Sequence, residues 1–254
     1  MSIDELLAGA PRVANIGLES FAADLQSNHV AVVQVDWRPP RFAFDERTEQ
    51  ANAEVLRRIL AAEPVLAGVR RAGELIPELD QGRLVLHAGP PIAWERMCGP
   101  LRGAICGAIV FEGWAEDLAQ AEALASSGAV RFAPNHHFGA VGPMTGITTR
   151  SMPLLMVENR EFGNWAACTI NEGLGKVLRF GANGAEVLAR LGWLRDELGP
   201  LLGGALAEHP IELNALIARG LAMGDEMHQR NVACTSLFLR QVAPALARGA
   251  TSSD

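Results

Sequence analysis

The run PNHHFGAVGPMTG, residues 134–146, sets an asparagine and two histidines ahead of Gly139, Gly142 and Gly146 in otherwise apolar text. Asn135 and a neutral imidazole can polarise a carbonyl, and His136 or His137 can carry a proton near neutral pH. The glycines let backbone N–H groups approach an anion or a developing oxyanion. On a strand, adjacent histidines point to opposite faces, so the pattern sends at most one of the two into a given pocket. The plainer alternative is a turn that buries one hydrogen-bonded histidine.

A second polar cluster, VENREFGNWAACTINEGLGKVLRFGANG, contains Glu158, Asn159, Asn164, Thr169, Asn171, Glu172, Gly173 and Lys176. Lys176 is the only lysine, and every other basic residue is arginine. A position that keeps a compact ammonium in such a chain suits a carboxylate, a phosphate or a carbamoyl group, with backbone donors beside it. The bland alternative is an i,i+4 surface ion pair between Glu172 and Lys176 on a helix. GLGK lacks the spacing of a nucleotide-binding P-loop, so ATP is not implied.

The third cluster, GDEMHQRNVACTSL, reads as a helix with Asp225 at its N-cap and His228, Asn231 and Thr235 along one face. Arg230 points elsewhere and suits a carboxylate. His-x-x-Asn is a weak ligand pattern, so no metal is expected. No GxSxG motif occurs, and Cys168 lies in apolar text, so covalent catalysis is not favoured. Tyrosine chemistry is excluded, because the chain has none.

These clusters need elements to hold them. Residues 12–37 read as a Rossmann-like β–α–β unit, with Val30–Val35 as the second strand but without the GxGxxG fingerprint of dinucleotide binding. Residues 52–87 read as a helix, broken or restarted at Pro64, ahead of the strand RLVLHA. Gly99, Gly103 and Gly107 form one flat helical face for close packing against another helix or a ligand. Strands and loops follow over 129–159, and three helical patterns occupy 185–206, 211–223 and 225–246. The fold class is therefore α/β. An N-terminal Rossmann-like region and mixed α/β middle span 1–128, the strand and loop region with the site spans 129–183, and a mainly helical region spans 184–254.

Composition narrows the function classes. With 29 acidic against 22 basic residues the chain has no electrostatic footprint for nucleic acid. Cys98, Cys106, Cys168 and Cys234 form no CxxC pair, so neither a disulfide framework nor a zinc ribbon is indicated, and a reducing, cytoplasmic compartment fits. The N-terminus lacks a basic region followed by an apolar run, so no signal peptide is expected. The longest apolar stretch, 103–111, is too short to span a bilayer.

The motifs NIGLESFAADLQ, VDWRPP, PLRGAICGAIVFEGWA, PNHHFGAVGPMTG, ENREFGNWAACTINEGLGKVLRFGANG and GDEMHQRNVA resemble the YlbE-like family over nearly the whole chain. In one branch of that family, AllG, the protein is a subunit of oxamate carbamoyltransferase. The resemblance implies carbamoyl transfer between carbamoyl phosphate or phosphate and oxamate, oxalurate or a related ureido compound, with no electron-carrying cofactor. It also implies a homo-oligomer, or a complex with a partner resembling succinyl-CoA synthetase chains. Members usually carry a segment beyond the tail at which this chain stops, so a partner or further segment is expected to complete the site.

Chemistry then suggests roles. Asn135 with His136 or His137 would polarise the carbamoyl carbonyl, and Glu172 or His228 would handle a proton. Lys176 would hold the anion with Gly139, Gly142, Gly173, Asn159, Asn164, Asn171, Arg230 and Asn231 as further binding positions. The alternatives are an amidohydrolase of ureido compounds, which needs activated water in place of phosphate, and a non-catalytic assembly subunit.

Overall fold

The computed structural model describes residues 9–38, 45–143, 146–171, 176–178, 181–228 and 230–250. The chain divides into two compact units, Met1–Leu60 and Ala61–Asp254.

In the first unit, β1 (Arg12–Ile16) and β2 (Ala31–Val35) pair in parallel, from Arg12 beside Ala31 to Ile16 beside Val35. Parallel neighbours need a crossover, and α1 (Glu19–Ser27) supplies it, so the β–α–β reading holds. Gly17, at φ +130°, turns the chain out of β1, and the Asn15 amide donates to Gln34 Oε1 at 2.6 Å across the strands. Helix α2 (Glu46–Ala61) begins where the Asp45 carboxylate accepts the Thr48 N–H at 2.8 Å.

The second unit opens with a correction. The segment after Pro64 is not a restarted helix but the strand β3 (Pro64–Arg71). It pairs antiparallel with a later strand and has a bulge between Leu66 and Gly68. The helix formers in AGVRRAGELI suggested otherwise, but a short apolar run beginning at proline suits a buried strand, and tertiary pairing overrides propensity. The helical remainder is a single turn, Ala72–Leu75.

Strand β4 (Leu84–His87) is wholly buried. The helices α3 (Gly99–Phe111) and α4 (Leu118–Ser126) carry the chain over to β5 (Arg131–Pro134), parallel to β4. Then follow β6 (Ala140–Val141), β7 (Ile147–Thr148), β8 (Pro153–Asn159) and β9 (Trp165–Thr169). With β10 (Ile211–Glu212) they complete two sheets, one ordered β10-β3-β8-β9-β6 and one ordered β5-β4-β7.

The C-terminal part is helical, as the sequence implies. Helix α5 (Ala185–Trp193) runs through a wide π turn, Leu194–Leu198, into α6 (Gly199–Glu208). Pro200 lacks the N–H that a continuous helix needs, and the wide turn before it accommodates that loss. After β10 come α7 (Leu213–Ala222) and α8 (Val232–Ala250). Leu66, Leu202, Leu206, Ile211 and Val242 form one core between these helices and β3. Val85, Ile105, Ile109, Ile147, Leu178 and Leu191 form another, around α3. Among the described residues no helix is long and apolar enough to cross a membrane.

Candidate functional site

Two pairs of parallel strands bring the first two polar clusters toward each other. In the β4–β5 pair, His87 stands beside Pro134, so Asn135 leaves β5 at the end where β4 also stops. In the β6–β9 pair, Val141 stands beside Cys168, so Gly142 leaves β6 level with Thr169, the last residue of β9. A β carbon on Gly142 would lie 3.2 Å from Asn135 Nδ2, which ties the two edges into one place. The carboxyl ends of parallel strands are where α/β sheets bind ligands, because loops and unpaired backbone groups converge there.

The polar side chains at this edge are buried and unsatisfied. Asn135 is 2 % exposed, yet neither its Nδ2 nor its Oδ1 has a hydrogen-bond partner among the described residues. The hydroxyls of Thr148, Thr149 and Thr169 and the Nε2 of His87 share that condition. An unpaired buried polar atom costs about 1–3 kcal/mol, so each of these groups calls for a partner that the described residues do not supply. Sequence reasoning missed His87, Thr148 and Thr149. The one available signal was a histidine closing the apolar run LVLH.

The histidines of the motif depart from expectation. Asn135–Phe138 is a 3₁₀ turn, not a strand, and both His136 and His137 are exposed, with ring centroids 4.7 Å apart and edge to face. They therefore sit beside each other, not on opposite faces. Gly139 ends the turn at φ +66°, a conformation that favours glycine.

On the other side of the edge, Asn171 is buried, and its Oδ1 accepts the Leu178 N–H at 3.3 Å, which holds the 176–178 stretch beside Asn171. That stretch carries Lys176, whose backbone carbonyl accepts from Arg190 and whose ammonium lies 3.2 Å from the exposed Glu186 on α5. An exposed pair of this kind contributes less than about 1 kcal/mol, so a ligand anion can replace Glu186 with little loss. Among the described residues the partner of Lys176 is Glu186. Glu172 and Gly173 lie outside the described residues.

Asn159 and Asn164 are not brought to this edge. They form the β8–β9 hairpin, where the Asn159 N–H donates to the Asn164 carbonyl at 2.8 Å and Asn159 Oδ1 accepts from Glu63 N. That turn is roughly 15 Å along β9 from Thr169.

The third cluster is also rearranged. Helix α8 begins at Val232, so Asp225 is not its N-cap, and His228, Arg230 and Asn231 lie in the preceding loop rather than on a helical face. Gly224 and Met227 hold left-handed conformations, at φ +77° and +62°, that a helix cannot contain. Asp225 still caps the helix through space, accepting the N–H groups of Cys234 at 2.9 Å and Met227 at 2.8 Å. Burial opposes its ionisation, but these donors and the Ala233 N–H outweigh that and hold its carboxyl below the usual range. Asp225, Arg230, Ser236 and Arg240 line a cavity of about 570 Å³.

Residues 130–254 match the family described as oxamate carbamoyltransferase subunit AllG. Over 201 residues the chain is 53% identical to the oxamate carbamoyltransferase subunit AllG of Escherichia coli (strain K12), across 78% of this chain and 48% of that protein. It is 40% identical over 258 residues to the uncharacterized protein YahG of the same organism, across 95% of this chain and 54% of that one. The crystal structure of a conserved protein of unknown function from Enterococcus faecalis V583 superimposes with a TM-score of 0.76 at 44% identity, covering 80% of this chain and 49% of that one. The chain spans about half the length of the curated relatives it matches. The family match takes in the Asn135 turn, the β6–β9 edge and all the C-terminal helices, and together with the identity over most of the sequence it means that the chain carries an AllG family domain.

Proposed function

We propose that the chain carries the carbamoyl-binding wall of a carbamoyltransferase subunit. In the forward direction the amide nitrogen of oxamate attacks the carbonyl carbon of carbamoyl phosphate. A C–N bond forms, the C–O bond to phosphate breaks, one N–H proton is lost, and oxalurate and phosphate leave. The reverse is phosphorolysis of oxalurate. A related ureido compound can take the place of oxalurate.

The observation that carries this reading is the buried, unpartnered carboxamide of Asn135. A carboxamide offers one N–H donor beside one oxygen acceptor, and a carbamoyl group presents the complement, a carbonyl oxygen beside an N–H. Two hydrogen bonds between them fix the carbonyl. The donor from Nδ2 then strengthens as charge develops on the carbonyl oxygen in the tetrahedral intermediate. His136 and His137, exposed one and two residues further on, are placed in this scheme to take the departing proton. Lys176 meets the phosphate or the oxamate carboxylate, and the cavity with Arg230 and Arg240 offers two guanidinium groups to an anion. The reading includes a partner subunit or further segment, from the family resemblance, and a cytoplasmic setting, from the cysteine usage.

Calorimetric titration of the wild-type chain and of Asn135→Leu with carbamoyl phosphate, phosphate, oxamate and oxalurate tests the reading. Carbamoyl phosphate should bind the wild type and bind Asn135→Leu at least about tenfold more weakly, the share of one or two hydrogen bonds. Equal affinity for the two proteins sinks the proposal. Cleavage of oxalurate that is indifferent to phosphate would instead indicate an amidohydrolase.

A further inference from the structure

We infer that His87 is a second reader of the same carbamoyl group: its Nε2 accepts one of the two hydrogens on the carbamoyl nitrogen. The inference deepens the carbamoyltransferase reading and rests on it.

His87 closes β4 and is 1 % exposed. Its Nδ1 lies 3.0 Å from the carbonyl oxygen of Ala88. A carbonyl only accepts, so Nδ1 carries the hydrogen, and in the neutral ring that leaves Nε2 as a bare acceptor. No donor among the described residues meets it. Buried imidazole nitrogens of structural histidines are ordinarily satisfied, so an acceptor held in a fixed tautomer with nothing to accept from points to a ligand N–H.

Its position names the ligand's chemistry. Strand register sets His87 beside Pro134 on one side and beside Ile147 on the other, and the Ala88 N–H donates to the Gly146 carbonyl at 3.0 Å. His87 therefore stands one residue in register from Asn135, at the same strand edge. A carbamoyl nitrogen carries two hydrogens and needs two acceptors, and Asn135 Oδ1 supplies only one. His87 Nε2 supplies the second. This pairing selects a primary amide against a group of equal shape without N–H, because such a group would leave Nε2 buried and unpaired.

Acetyl phosphate is the discriminating probe, since it replaces the NH₂ of carbamoyl phosphate with a methyl. Calorimetry should show that the wild type prefers carbamoyl phosphate, that His87→Leu cuts the preference about tenfold, and that His87→Gln, which restores an acceptor, recovers part of it. A second readout uses the unaltered protein: in ¹⁵N-histidine NMR the Nε2 resonance of His87 should move on adding carbamoyl phosphate and not on adding acetyl phosphate. An undiminished preference in His87→Leu, or an unmoved Nε2 resonance, overturns the role of His87 while the Asn135 reading stands if Asn135→Leu loses binding. Failure of the wild type to bind carbamoyl phosphate overturns both.

Discussion

Asn183 donates its side-chain amide to the Gly103 carbonyl at 2.9 Å, pinning the chain that follows Lys176 to the middle of α3. The contact is possible because Gly103 lacks a side chain: a β carbon there would stand 2.8 Å from Gly181 Cα and 3.2 Å from its carbonyl oxygen. The glycine face of α3 thus serves packing, against a loop rather than another helix, and the loop is the one that carries the proposed anion contact.

Gly103→Ala should therefore destabilise the protein by about 1–3 kcal/mol, because both obstructing atoms are backbone and cannot swing aside. Gly99→Ala on the same face meets nothing within 4 Å and should be neutral or mildly stabilising. Urea midpoints of the two variants check the pair. If Gly103→Ala unfolds at the wild-type midpoint, the close approach to Gly181 does not exist in solution.

How much of this was legible beforehand varies with the range of the physics involved. The β–α–β unit was readable because a β-branched run and a helix-length segment are local signals, and the C-terminal helices because their periodicity is local too. Pro64–Arg71 was not, since its state is set by partners almost a hundred residues away on β8. Asn135 stood out through its polar neighbours, but His87 did not. One histidine at the end of a strand looks the same whether it exits to solvent or is sealed between β5 and β7. The spacing of His228, Asn231 and Thr235 suited a helix, and two left-handed residues nearby ended that pattern without any sequence cue stronger than Gly224.

Asp225 makes a pH-dependent contribution to stability. Its folded carboxyl titrates below its unfolded value, so the stabilisation is complete above the ordinary aspartate range and is lost as pH falls through the lowered value. Asp225→Asn should consequently unfold more readily than wild type near neutrality, and the gap in urea midpoint should close as pH falls through the ordinary aspartate range and below it. A gap of constant size across that range would mean that the N–H groups of Met227 and Cys234 do not depend on the charge.

The cysteines should react in a set order. Cys106 is buried on α3, and burial, aided by Glu122, pushes its thiol up to about 11. Cys98, immediately before that helix, is exposed. The thiolate is the reactive form, so iodoacetamide at about pH 8 should label Cys98 in the native protein and Cys106 only after unfolding. Peptide mapping by mass spectrometry reads the order, and native labelling of Cys106 at the rate of Cys98 would contradict the packing of α3.

Glu112 tests whether the end of α3 is held by an ion pair or by hydrogen bonds. Its side chain is 1 % exposed and accepts from the Ser151 N–H at 2.9 Å, the Ser151 hydroxyl at 2.7 Å and Arg150 Nε at 3.2 Å. Arg150 is 43 % exposed, so its pairing is screened and contributes less than about 1 kcal/mol. The Ser151 bonds are shorter and end on a buried charge, and losing them should cost about 2–3 kcal/mol. Glu112→Ala should therefore destabilise well beyond Arg150→Ala, with Glu112→Gln between them because it keeps one acceptor. In the same turn the Met152 and Arg150 carbonyls accept the N–H groups of Ala72 and Gly73, at 2.8 and 2.9 Å, so its loosening should also reach β3. Equal losses in Glu112→Ala and Arg150→Ala would assign the anchor to the ion pair instead.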